Sequence, residues 1–427
     1  MAKLGFVEAR HLVSRTGLGA EWNEINRVSQ LSMHQAIAQL LKQNNQRVPA
    51  MPRFSSWRKM SSLYNNPARR NMVQRIAKVE GKGLQTWWVK HLLTTKTPFL
   101  ERMTLFWHNH FPSSIEKTKQ ANFLYQQNIL FRKHALGNYG TLLRAVAKDP
   151  AMLLYLDGHL NTKENPNENF AREVLELFTL GRGKYKEFDI KEAARAFTGW
   201  TVSAQGKFVN NRADHDNGVK TFLGQRGNFN GDHIINILLK QPRTAEVVAE
   251  KMWHEFINIS RPNLRIIKQW AQVFRNSNYS TRKLLQTVLT SKEFWDKRNR
   301  GALIKSPIDL AIGTLRTLPY KLPRRGIEHR LNILGQGVFK HPSVKGWVGG
   351  ADWISTQSIL LRTALMNDLS GGHFRAKGGV SQGLPDTTGK RMQEWLLATK
   401  PLQPIDLKLG KQRLVRALVL DPAYQVN

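Results

Sequence analysis

The chain contains no cysteine. That excludes disulfides, a thiolate zinc site, a cysteine nucleophile and an iron–sulfur cluster. A cysteine-free chain suits an oxidising compartment, and equally a host that uses little cysteine. No apolar run approaches the roughly 18–20 residues that span a bilayer. Acidic residues are scarce, with 31 Asp and Glu against 65 Lys and Arg, a formal net charge of +34. Such a field favours polyanions: nucleic acid, acidic polysaccharide, lipopolysaccharide or anionic membrane. It does not choose among them, and because the excess is spread along the chain, general solubility is the competing explanation. A secretion signal is also missing: residues 1–20 carry Arg10, His11 and Arg15 where an apolar stretch would be needed. The chain is therefore expected to be cytoplasmic, clipped at a mature start, or periplasmic after export with a partner.

What is present is a large core. The 427 residues are 41% hydrophobic and include 12 tryptophans, enough for one large domain or two. Helical punctuation dominates. Met33 to Leu41 has helical apolar spacing after Ser32. Leu100, Met103, Phe106, Trp107 and His110 follow one helix face. Asn138 to Ala147 and Thr244 to Ile257 read similarly, and Asp189 to Glu192 has the form of a capping box with Asp189 as N-cap. The expected fold is mostly α, a large irregular multi-helix domain. A long polar insertion over 201–233, rich in glycine, is expected to hold an ordered loop with a small β-hairpin. The expected organisation is an N-terminal helical segment over 1–95 and a central helical core over 96–365. A Gly-rich linker with a C-terminal helical segment follows over 366–427. All could form one domain.

Several constellations could carry chemistry. Asn167, Glu168, Arg172, Glu173 and Glu176 lie around one helix whose buried side is marked by Phe170, Val174, Leu177 and Phe178. Glu173 and Glu176 are three apart and so neighbours, while Glu168, Arg172 and Glu176 form an i+4 ladder. This is either a carboxylate cluster for acid–base work or a hard metal, or a salt-bridge ladder. His108 and His110 form an H-x-H pair. On a helix two such side chains point about 200° apart, so a shared metal needs local distortion, and buried core histidines are the competing reading. Asp214, His215 and Asp216 sit in the Gly-rich loop with Lys220 behind them, offering a base, an orienting acid or metal ligands, or simply solvated turn residues. Lys305-Ser306-Pro307 and His341 to Gly350 bring cations and aromatics to tight turns. There Trp347 and Trp353 could form a stacking wall for sugars or bases, or simply pack. Fingerprints of zinc proteases, serine hydrolases, P-loops and Rossmann folds are absent.

Several of these blocks resemble the bacterial family catalogued as domain of unknown function 1800. They are Ala9 to Leu12 with Arg15 to Gly19, Phe106 to Phe111, His134 to Gly137, Asp149 to Met152 with Leu156-Asp157, and Pro166 to Gly181. Ala193 to Trp200, His215-Asp216, Lys220 to Gly224, Lys305 to Pro307, Gly335-Gln336 and Val344 to Trp347 complete the match, which runs nearly end to end. The family name assigns no activity. The resemblance implies a largely α-helical protein, often encoded beside a member of another uncharacterised family, numbered 1501. That second family is similar to the alkaline phosphatase/sulfatase superfamily, so a partner of that kind is expected. Because the matching blocks include polar residues and not only apolar ones, a shared polar cleft is also expected.

Two functional classes remain. The first is an enzyme, with or without a divalent metal, acting on an anionic polymer or envelope-associated substrate. In it Glu173, Glu176, His215 and Asp216 would be catalytic, and Asn167, Arg172, Lys220, Lys345 and Trp347 would bind substrate. His108, His110 and Glu168 would hold the metal. The second is a non-catalytic polyanion-binding or assembly protein.

Overall fold

A computed structural model describes residues 2–43, 48–64, 66–319, 326–371 and 383–427. Most of the expected Gly-rich linker, residues 372–382, lies outside them. The described residues form 22 α-helices and two small antiparallel hairpins, so the protein is mostly α. No helix among them is long and apolar enough to cross a membrane.

Local chemistry accounts for many helix boundaries. Ser32 caps Met33–Leu41 by accepting the Gln35 amide, and Gln35 answers by accepting the Ser32 amide. Asn138 caps Tyr139–Ala147 by accepting the Thr141 amide. The helix expected to begin after Asp189 instead runs over Glu187–Ala196. Asp189 sits in its first turn, accepting the Lys186 amide at 2.8 Å and the Leu223 amide at 2.9 Å. Its second bond belongs to the insertion, and this is what the local pattern could not show. The insertion itself forms two hairpins, Trp200–Val202 with Phe208–Asn210 and Lys220–Phe222 with Gln225–Gly227.

One buried apolar cluster runs from Ala9 to Tyr424. The C-terminal helices Gly389–Leu396 and Lys411–Leu420 contribute Met392, Trp395 and Leu418 to it. Trp395 Nε1 donates to the carbonyl of Ala20 at 2.6 Å, tying that end of the chain to the first helix.

Helix Pro98–His110 sits at the centre of the core. Ten of its residues are buried, including Glu101, Arg102, Thr104, His108 and His110. A helix buried all round must answer every polar side chain from its neighbours. Glu101 accepts from Arg132 Nη2 at 2.9 Å, Trp88 Nε1 at 3.1 Å and His91 Nε2 at 3.1 Å. Burial alone would raise its carboxyl, but Arg132 and His91 overcome burial and hold it at about 2. Arg102, Asn109 and His110 of this helix face a large cavity.

Candidate active-site cleft

That cavity is a cleft of about 630 Å³, within the range of small-molecule sites. Helix Pro98–His110 lends it Arg102, Phe106, Asn109 and His110, and helix Pro242–Phe256 lends Lys251 and Glu255. Asp309, in the first turn of Pro307–Thr317, closes its floor, and the segment 345–353 forms a wall with Lys345, Trp347 and Trp353.

The wall is fixed to the central helix at one point. Asn109 Oδ1 accepts the Trp347 amide at 2.7 Å. Gly346, at φ +87°, lets the chain come that close, since a Cβ there would lie 2.4 Å from Asn109 Oδ1. Trp347 is itself buried against His341, with ring centroids 4.2 Å apart.

The floor is a brace. Arg102 donates to the Gly17 carbonyl at 2.7 and 2.9 Å, to Glu255 at 2.9 Å, and to Asp309. Burial pushes the Glu255 carboxyl up, and Arg102 offsets only part of this. For Asp309 burial is overridden by Arg102, which holds the carboxyl below its ordinary value. Arg102 is thus committed to the protein.

Lys251 is different. Its amine donates to His110 Nδ1 at 2.7 Å, and more weakly to the Leu177 carbonyl at 3.4 Å. No carboxylate pairs with it among the described residues. Burial lowers the amine to about 8. Burial, then the adjacent Lys251, holds His110 well below its ordinary value, so the imidazole is neutral at neutral pH. The lysine bond requires a lone pair on Nδ1. The proton therefore sits on Nε2, which faces Tyr139 Oη at 3.5 Å. Tyr139 Oη in turn donates to the Phe178 carbonyl at 2.5 Å. Phe178 and Leu177 belong to Val174–Thr179, a π-helical turn in which the Leu180 amide reaches the Leu175 carbonyl. Such turns are rare and often found at functional sites.

The residues singled out from sequence divide between this cleft and other networks. Lys345, Trp347 and His110 line the cleft. Glu173 is not among the residues that line it: burial and then Glu176 raise its carboxyl, while the charges of Arg172 and Lys345 pull it down. Glu176 leaves the expected i+4 ladder, because the π-helical turn starts at Val174 and rotates it away. It accepts from Tyr185 Oη at 2.7 Å instead. Arg172 bonds Glu168 at 3.0 Å and Glu187 at 3.1 Å, a surface network. Asn167 is the cap of that helix, accepting the Asn169 amide at 2.9 Å.

His215 donates Nδ1–H to the Thr198 carbonyl at 2.9 Å. Asp216 accepts from Arg195 at 2.7 Å and from the Gly218 amide at 2.7 Å. Lys220, fully buried, donates to the carbonyls of Asp216 and Gly218. These bonds shape the insertion, and they share no residue with the Glu168–Arg172–Glu187 network.

His108 and His110 take different partners, as helical geometry requires. His108 Nε2 accepts the Phe339 amide at 3.2 Å. Among the described residues no three His, Asp or Glu side chains group so as to hold a metal ion, so the expected set of His108, His110 and Glu168 is not assembled.

Sequence reasoning passed over Lys251, Arg102, Glu255 and Asp309. One signal was available: Lys251 stands three and four residues after Val248 and Val247, on the apolar stripe of its helix, where a solvated lysine does not belong.

The fold and cleft define a largely α-helical protein with a polar, cation-rich cleft. Over residues 11–426 the chain matches the family described as "Protein of unknown function (DUF1800)", and it belongs to that family. No curated protein and no solved structure matches it. Some of the sequence blocks that carried the resemblance meet at the cleft, where Arg15, Phe106, Asn109, His110, Ser306, Gln336, Lys345 and Trp347 line it; the blocks over 134–137, 149–157, 166–181, 193–200 and 215–224 do not.

Proposed function

We propose that the protein is an enzyme acting on an anionic polymer or an envelope-associated anionic substrate, with Lys251 and His110 as the acid–base pair of the cleft. The observation that carries this reading is the 2.7 Å bond between a lysine amine with no acid partner among the described residues and a neutral imidazole, inside a cleft of ligand size. An amine held at about 8 is neutral in roughly one molecule in ten at pH 7, so it can take a proton and return it. The chain His110–Tyr139–Phe178 carbonyl keeps the imidazole in one tautomer and one orientation. Lys345, exposed at the rim, supplies a cation for an anionic substituent, and Phe106, Trp347 and Trp353 supply apolar wall. Glu173, whose carboxyl feels the charge of Lys345, would be the second titratable group of the site. Work beside a phosphatase- or sulfatase-like partner belongs to the same reading and rests on the family resemblance alone.

The test is a panel of oligomers bearing carboxylate, phosphate or sulfate, followed for chain shortening by mass spectrometry. Turnover should fall roughly 10²–10⁴-fold in Lys251→Met, with affinity changed far less. Steeply salt-dependent binding of every polyanion with turnover of none would sink the enzyme reading and favour the polyanion-binding one.

A further inference from the structure

A charged Lys251 amine would have more N–H bonds than acceptors. The cationic form carries three N–H bonds and the neutral form two. Among the described residues Nζ finds two acceptors, His110 Nδ1 at 2.7 Å and the Leu177 carbonyl at 3.4 Å. A neutral amine meets both and keeps its lone pair free. A cationic one leaves an N–H unanswered, which is unfavourable away from water. The acids lining the cleft do not alter this. Glu255, four residues on, and Asp309 are both held by Arg102, and Asp352 stands exposed on the wall. Burial acts in the same direction, holding the amine at about 8.

The amine is also within reach of a ligand. Lys251 is half-buried and lines the cleft of about 630 Å³ together with Leu105, Phe106 and Ile259. An unprotonated lysine amine beside an apolar wall is a nucleophile, and lysines of this kind form Schiff bases with carbonyl compounds. His110 supplies what such a reaction further needs. Its Nδ1 lone pair, 2.7 Å from Nζ, can take the proton that nitrogen loses and return it to the oxygen that leaves.

We propose that Lys251 binds an aldehyde or ketone covalently in this cleft, as an imine, with His110 carrying the proton. Nζ adds to the carbonyl carbon, so that a C–N bond forms and the C=O π pair moves to oxygen. His110 passes one amine proton to that oxygen, giving the carbinolamine. The second amine proton follows the same route, the C–O bond breaks, and water departs as C=N forms. Amine and carbonyl thus yield imine and water, with nothing oxidised or reduced. The imine needs the cleft and its lysine but no polymer, and so goes beyond the acid–base reading.

Acetaldehyde with cyanoborohydride is the probe. The aldehyde supplies the carbonyl, and the borohydride supplies the hydride that reduces C=N to a stable ethylamine. Peptide mass spectrometry of the full, unaltered chain then reads the label at each lysine. An ordinary lysine is neutral in roughly one molecule in a thousand at pH 7.5, so with limiting aldehyde Lys251 should be labelled about tenfold or more ahead of the exposed lysines. That lead should shrink above about pH 8, as the exposed lysines lose their protons and Lys251 has none left to lose. Labelling of Lys251 no faster than the exposed lysines, or a lead that pH does not change, would overturn the proposal. Polymer turnover with Lys251 unlabelled would also overturn it, and would leave the acid–base reading standing. Labelled Lys251 without turnover of any polymer would support the imine and count against that reading.

Discussion

Two polar regions of this protein differ in one respect. Around Glu168–Glu187 and Glu192–Lys220 nearly every charge is answered by its neighbours: Arg172 by Glu168 and Glu187, Arg195 by Glu192 and Asp216, Lys220 by two carbonyls. In the cleft the Lys251 amine meets a neutral imidazole and a carbonyl, and its proton is held loosely. The first region is denser in titratable residues and was the more conspicuous in sequence. The second is where we propose that a proton moves. Density of polar residues marks a network; an uncompensated group in a cleft marks a candidate for chemistry.

The strongest test of this contrast is Lys251→Met. Beyond the loss of turnover, it should alter the response to alkali. Burial lowers the amine in the folded state, so the unfolded chain binds the extra proton at any pH between about 8 and the ordinary lysine value of 10.5. Stability should therefore rise with pH across that window and be lowest below it. Allowing for the water that the cleft admits, the gain is about 2 kcal/mol. Urea unfolding at pH 7.5 and pH 10 should show it in the unaltered chain and not in Lys251→Met. Equal pH slopes would mean that the amine is not held down.

Gly346→Ala should produce the next effect, on the wall. The new methyl meets Asn109 Oδ1 at 2.4 Å and the Asn109 carbonyl at 2.7 Å, at a φ of +87° that non-glycine residues avoid. A loss of about 2–3 kcal/mol is expected, with Trp347 fluorescence changing as the wall detaches. An unchanged midpoint and unchanged emission would show that the wall is not pinned there.

Asp216→Asn probes the other side of the comparison. It removes the charge that holds Arg195 at 2.7 Å, and the expected cost is about 1–2 kcal/mol of stability. Turnover at saturating substrate should stay within twofold of the unaltered chain. A large drop in turnover at unchanged stability would place His215 and Asp216 in the chemistry after all.

How much was legible follows from the same contrast. The helices Met33–Leu41, Pro98–His110 and Pro242–Phe256 came from apolar spacing and capping chemistry, which are local. Lys345, Trp347 and His110 were legible as unusual residues near turns. Their convergence was not, because Asn109 and Trp347 are 238 residues apart in the chain. Lys251 was hidden by a second ambiguity. A Lys251…Glu255 pair at i+4 reads as a surface ladder, yet Glu255 is held by Arg102 from another helix. The sequence pattern could equally not reveal the π-helical turn. One extra residue in that turn moves Glu176 off the Arg172 face and brings the Leu177 and Phe178 carbonyls to Lys251 and Tyr139.

That turn gives the smallest and sharpest test. Glu176 accepts from Tyr185 Oη at 2.7 Å, and burial followed by this bond raises the phenol well above its ordinary value. The same carboxylate raises Glu173. Glu176→Gln keeps an acceptor in place and removes the charge, so stability should change by about 0.5 kcal/mol or less. Both neighbours should respond in the same direction. The Tyr185 phenol should ionise at lower pH, followed by phenolate absorbance, and the Glu173 carboxyl should titrate lower, followed by carbon-13 shifts. If Tyr185 moves and Glu173 does not, the π-helical turn keeps the two acids further apart than their charges imply. Glu173 would then belong with Lys345 and the cleft rather than with the answered network beside it.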